Sequence, residues 1–114
     1  MLRIKRIYEQ PSADDGYRVL VDRLWPRGLS KEHAALDEWL KDVAPSAGLR
    51  VWFSHKPERF AEFREKYREE LEHNPAVATL RKLAASKPAV TLLYGAKDPR
   101  VNQAVVLQQF LEEH

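Results

Sequence analysis

Two short stretches hold most of the residues able to do chemistry. Asp22-Arg23-Leu24-Trp25-Pro26-Arg27-Gly28 sets a carboxylate and two guanidinium groups around a tryptophan. Tyr94-Gly95-Ala96-Lys97-Asp98-Pro99, followed by Asn102, adds an ammonium, a second carboxylate and an amide. Guanidinium forks match phosphate and carboxylate oxygens in pairs, and the free N–H groups at a helix start add further anion donors. Arg23, Arg27, Lys97, Trp25 and Asn102 are therefore the expected ligand-binding residues. Acid–base chemistry falls to Asp22, Asp98 and His55. His55 follows Trp52-Phe53 just before an expected helix start, and imidazole exchanges protons near neutral pH.

Each of these residues also has a purely structural reading. Asp22 and Arg23 can pair with nearby charges at a strand end, Asp98 can cap a helix, and Asn102 can be a solvated helix residue or a local hydrogen bonder. His55 can serve packing, and Gly28 and Gly95 can relieve the backbone at turns. His33, His73 and His114 read as surface residues. No two histidines stand at metal-ligand spacing, and with no cysteine, thiolate catalysis and cysteine-held metals are excluded. There is no P-loop, G-x-G-x-x-G or G-x-S-x-G pattern, so no motif names a reaction or implies a cofactor.

These residues must be positioned by a small set of elements. Residues 2–8 alternate charged and aliphatic side chains and read as an edge strand. Pro11 to Gly16 is dense in turn formers. Tyr17 to Leu24 has the continuous aliphatic centre of a strand covered on both faces. Ser30 is a good N-cap for a helix with Leu36, Leu40 and Val43 on one face, and Trp39 and Trp52 are placed in the core. A short helix carries Leu49, Trp52 and Phe53; the next runs from Pro57 through Phe60, Phe63, Tyr67 and Leu71, with charge pairs on its solvated side. Asn74-Pro75 opens another, bearing Val77, Leu80 and Ala84. Pro88 precedes the clearest strand, Ala89 to Tyr94, and Asp98-Pro99 is expected to cap a last amphipathic helix.

The order predicts an α/β domain: a short, mainly parallel or mixed sheet of about three strands with helices packed around it in two or three layers. The second and third strands can be parallel neighbours, because residues between them suffice for a crossover. The loop between the first two is short for one, which leaves an antiparallel first strand open. If the later pair is parallel, both charged stretches lie at the carboxyl edge of the sheet, where ligands gather in such folds.

Bulk composition fits one globular domain spanning residues 1–114, with 44% apolar and 32% charged residues. Nineteen basic and seventeen acidic residues are interspersed for a net charge of +2, with only a mild basic excess in the first 31 positions, rather than the basic stripe of a strong nucleic-acid binder. No stretch has the apolar length of a signal peptide or a membrane span, so a cytoplasmic location without membrane contact is expected.

Gly16-Tyr17-Arg18-Val19-Leu20-Val21-Asp22-Arg23-Leu24-Trp25-Pro26-Arg27-Gly28 resembles the signature of the YeaO-like proteins, small bacterial proteins within a family of unknown function. Trp39-Leu40-Lys41 with Ala44-Pro45-Ser46, Leu49-Arg50 to His55, and Thr91 to Asp98 with Asn102 resemble it too, so the likeness covers nearly the whole chain. The resemblance implies arginines at positions 23 and 27 but no reaction. Longer relatives carry a Cys-His-Arg run where this chain has Val101-Asn102-Gln103, so chemistry resting on that cysteine or histidine does not transfer. Lys56 follows His55 where many close relatives have an acidic residue, which tells against a His–Asp pair here. The sequence reading is thus of a domain binding a small anion or phosphate ester, with or without catalysis. The alternative is a nucleic-acid or protein interaction module using Arg27, Trp25 and the basic first strand.

Overall fold

The computed structural model describes residues 1–113; the reading of His114 lies outside them. Four strands, β1 (Leu2–Arg6), β2 (Tyr17–Leu20), β3 (Glu38–Trp39) and β4 (Val90–Tyr94), form one sheet in the order β1-β4-β2-β3. All three pairings are parallel. Five helices accompany them: α1 (Lys31–Ala34), α2 (Ala47–Phe53), α3 (Phe60–Glu72), α4 (Ala76–Ser86) and α5 (Gln103–Glu112).

Alternation along the strands divides the interior in two. Val19, Val21, Val90, Leu92 and Tyr94 join the larger core with the helices, through Phe53, Phe63, Tyr67, Leu80, Leu107 and Phe110. Leu20 and Leu93 join Ile7 and Ala34 in a smaller core, closed by Trp25, Leu29 and Leu36 from the irregular chain. β4 is buried at every position because it has a strand on each side and packing on both faces. Tyr67, also fully buried, donates its hydroxyl to the Val43 carbonyl at 2.7 Å, satisfying the one polar atom of its ring.

The first strand is parallel, which resolves the alternative left open by its short connection. β1 and β2 do not pair with each other; they flank β4 on opposite sides. The link between them need only pass one strand, and a 3-10 turn at Ala13–Asp15 brings it back. There Asp15, Arg18 and Thr91 are buried together. Asp15 accepts from Lys5 Nζ at 3.1 Å, from the Arg18 guanidinium and from the Ser12 N–H at 2.9 Å. Arg18 also donates to the Ala34 and Ala35 carbonyls, and Thr91 to the Asp15 carbonyl at 2.6 Å. Burial alone would raise the Asp15 carboxyl, but these hydrogen bonds outweigh it and hold the group below the usual carboxylate range. Gly16, at φ +66°, completes the turn; any side chain there would run into the Ala89 carbonyl.

Three expectations are corrected. The helix from Ser30 lasts one turn: Ser30 Oγ does accept the His33 N–H, but Ala35 is left-handed and the chain then extends into β3, a fourth strand. Pairing decides this, since the Asp37 and Leu40 N–H groups donate to the Arg18 and Leu20 carbonyls at 2.9 Å each. Trp39 consequently lies at the sheet edge, 37% exposed, instead of in the core, while Trp52 packs partly buried against the core. Finally, Asn102 and not Asp98 caps α5: its Oδ1 accepts the Val105 N–H at 3.1 Å. Asp98 instead accepts the Arg100 and Val101 N–H groups, which closes a turn before the helix begins.

The outer edge of β1 is bonded at both ends. Gln108 donates to the Leu2 carbonyl at 3.0 Å, and Glu9 takes the Arg6 N–H through its carboxylate and returns its own N–H to the Arg6 carbonyl. Among the described residues no helix is long and apolar enough to cross a membrane.

Candidate functional site

A cleft of about 300 Å³ opens beyond the carboxyl ends of β2 and β4. Its floor is Asp22, Gly95 and Gln103, its walls the loop from Arg23 to Arg27 and the segment from Ala44 through Arg50 and Phe53 to His55, with Tyr8 and Ala96 completing it. Parallel β2 and β4 put both loops on the same edge, and α5 starts directly behind them.

Asp22 leaves the sheet just after β2. One carboxylate oxygen accepts the Gly95 N–H at 2.8 Å and the other accepts the Gln103 side-chain amide. Glycine suits position 95, because a Cβ there would stand 3.0 Å from that carboxylate oxygen. Burial pushes the Asp22 carboxyl up to about 6, against the opposing pull of the hydrogen bonds from Gly95 and Gln103. Asp22 and Arg23 therefore do not pair with each other. Arg23 donates instead to the Pro45 and Ala44 carbonyls at 3.2 Å each. Those carbonyls are fixed from below, where the Ser46 N–H and hydroxyl both donate to Glu70, at 2.9 and 2.6 Å.

The loop carrying Arg27 is pinned at three points. Trp25 donates its indole N–H to the Leu29 carbonyl, Trp39 donates to the Asp22 carbonyl, and Tyr8 donates its hydroxyl to the Arg27 carbonyl, each at 2.7 Å. The two indoles meet edge to face with centroids 5.3 Å apart. Trp25 is thus half-buried and committed to the loop rather than presented as a stacking surface. The Arg27 side chain is exposed at the mouth of the cleft, as is that of Arg50. Among the described residues neither guanidinium makes a hydrogen bond or an ion pair.

Of the residues singled out from the sequence, Asp22, Arg23, Trp25, Arg27 and His55 meet in this cleft. Lys97 and Asp98 are exposed on the turn after β4 and do not line it, and Asn102 is buried as the α5 cap. His55 is exposed, with its ring centroid 6.1 Å from that of Phe53. Ser54 and His55 are consecutive left-handed residues, φ 46° and 56°, an arrangement that ordinary residues hold only under constraint. Arg50, Gln103 and Tyr8 belong to the cleft but were not foreseen. For Gln103 a signal existed: the first residue of a helix facing a strand-end carboxylate.

Fold and cleft together define a small parallel α/β domain with a cation-rimmed cleft at the carboxyl edge of its sheet. The chain belongs to a family described as the inactive DUF488-N3 subclade, whose family model matches residues 1–114. It is 45% identical over 111 residues to the uncharacterized protein YeaO of Escherichia coli, which covers 96% of both chains. It is also 46% identical over 110 residues to an uncharacterized protein of Mycobacterium tuberculosis, 96% of this chain and 92% of that one. The likeness to YeaO-like proteins read from the sequence is thereby shown. No solved structure matches the chain.

Proposed function

We propose that this domain binds a small anion in the cleft and does not chemically convert it. The observation that carries the reading is the convergence of Arg23, Arg27 and Arg50 on one cleft, with no carboxylate among the described residues paired to any of them. Arg23 is anchored by carbonyls, which orient it without cancelling its charge, and two further guanidiniums stand free for bidentate contacts. Asp22 opposes them least when protonated, the state that its burial favours.

Three points support binding over turnover. No serine, threonine, cysteine or lysine lines the cleft among the described residues; of the other nucleophile types present, Asp22 is held by Gly95 and Gln103 and the Tyr8 hydroxyl by the Arg27 carbonyl, which leaves His55 alone. At the stretch where longer relatives carry Cys-His-Arg, Asn102 is engaged as a cap and Gln103 in holding Asp22. The family is also the one described as an inactive subclade.

Calorimetric titration with inorganic phosphate tests this. Arg27→Ala is expected to weaken binding about 10- to 100-fold, the range of a lost charge-assisted hydrogen bond, while leaving the melting temperature of the free protein unchanged. Unaltered affinity in both Arg27→Ala and Arg50→Ala would overturn the reading. Binding only to duplex DNA or RNA, falling steeply with salt, would favour an interaction module in its place.

A further inference from the structure

We infer that the anion taken by this cleft carries a compact apolar body, such as a phenyl ring, in place of being a bare inorganic ion or a sugar phosphate; the inference rests on the anion-binding reading above. Charge and carbon are separated in the cleft. Arg27 and Arg50 are exposed at its mouth, whereas the inner wall is Phe53 (4% exposed), Ala44, Pro45, Pro26 and Phe63, all buried. An inorganic ion held by the arginines would leave in water the apolar surface that Leu24 and the rim of this wall still turn to the cleft, the situation that the hydrophobic effect disfavours.

The polar groups of the floor point the same way. Asp22 and Gln103 bond each other, and Asp22 also takes the Gly95 N–H, so their hydrogen-bonding capacity is largely met within the protein. A polyol pressed between proline, alanine and phenylalanine side chains would bury hydroxyls without partners, which costs about 1–3 kcal/mol for each. A ring of carbon loses nothing there. Leu24 adds an independent observation: it lines the cleft yet is 58% exposed, so a carbon-rich occupant would cover apolar surface there. A volume of about 300 Å³ sits at the lower end of the range for ligand pockets, room for one ring and its anionic group and not for a peptide.

Titrations at ~150 mM salt with phenyl phosphate, glycerol 3-phosphate, inorganic phosphate and phenol separate the possibilities. Phenyl phosphate is expected to bind at least about tenfold more tightly than either other phosphate, from the apolar area that it covers. Leu24→Ser, at an exposed position, is expected to narrow that ratio to below about threefold, and Arg27→Ala to weaken all three phosphates. Benzoate in parallel tells whether phosphate or carboxylate is the preferred head group. Equal affinity for the three phosphates would overturn the apolar body and leave the anion reading standing. Phenol binding as well as phenyl phosphate would overturn the anion reading, and no binding by any probe would overturn both.

Discussion

Asp22 combines two demands that oppose each other: it must leave water to reach the Gly95 and Gln103 donors, and leaving water favours its neutral form. With its carboxyl at about 6 in the folded protein and near 3.9 when unfolded, the folded state keeps a proton that the unfolded chain releases between those values. Stability from this residue is therefore complete below about pH 4, declines as pH rises to about 6 and is level above that, a change on the order of 3 kcal/mol. Asp15, held low by the Ser12 N–H and by Lys5 and Arg18, acts in the opposite sense and below this window. Asp22→Asn retains an oxygen for the Gly95 N–H and is expected to abolish the decline in urea midpoints between about pH 4 and pH 7. An unchanged slope in the variant would assign the effect elsewhere. At this scale the sequence was legible where a residue's own loop placed it, as with Asp22, Arg23 and Arg27. Arg50 was not, because only the packing of α2 against the Arg23 loop turns an ordinary surface arginine toward the cleft.

Among the elements, the link between β1 and β2 depends most on a few contacts. Asp15 is the sole carboxylate ion-paired to Lys5 and Arg18 among the described residues, and Arg18 is buried. Asp15→Ala is expected to destabilise the domain by about 3–5 kcal/mol, the range found when one partner of a buried ion pair is removed. A loss below about 1 kcal/mol in urea denaturation would show that the cluster rearranges freely. Strands β1, β2 and β4 were legible because aliphatic runs are bounded by breakers such as Gly16 and Pro88. β3 was not: Leu36, Leu40 and Val43 fit a helical face equally well, and only the open edge of β2, supplied by tertiary structure, decides for extension. The start of α5 was missed by a few residues because Asp98-Pro99 carries a stronger cap-plus-proline signature than Asn102, yet Asp98 is occupied by the turn itself.

Across the whole molecule, strength is distributed unevenly about the sheet. β4 is paired on both sides and buried on both faces, whereas β3 is two residues long and borders solvent. Amide exchange is accordingly expected to reach Leu92 and Leu93 only through global unfolding and to reach Trp39 at least about 100-fold faster through local opening. Equal protection at both places, read by hydrogen-exchange mass spectrometry, would mean that the sheet opens as one unit. The strand order has a further consequence for the growing chain on the ribosome. β1 and β2 are made early, but β1 has no partner until β4, which lies between them, has been synthesised, and β2 has only the two-residue β3. At about 5–20 residues per second, several seconds pass between the emergence of Leu20 and that of Val90. During that interval β1 is unpaired and β2 has one short neighbour at most, so nascent-chain chaperones have their best opportunity to bind this protein before β4 emerges to join the two.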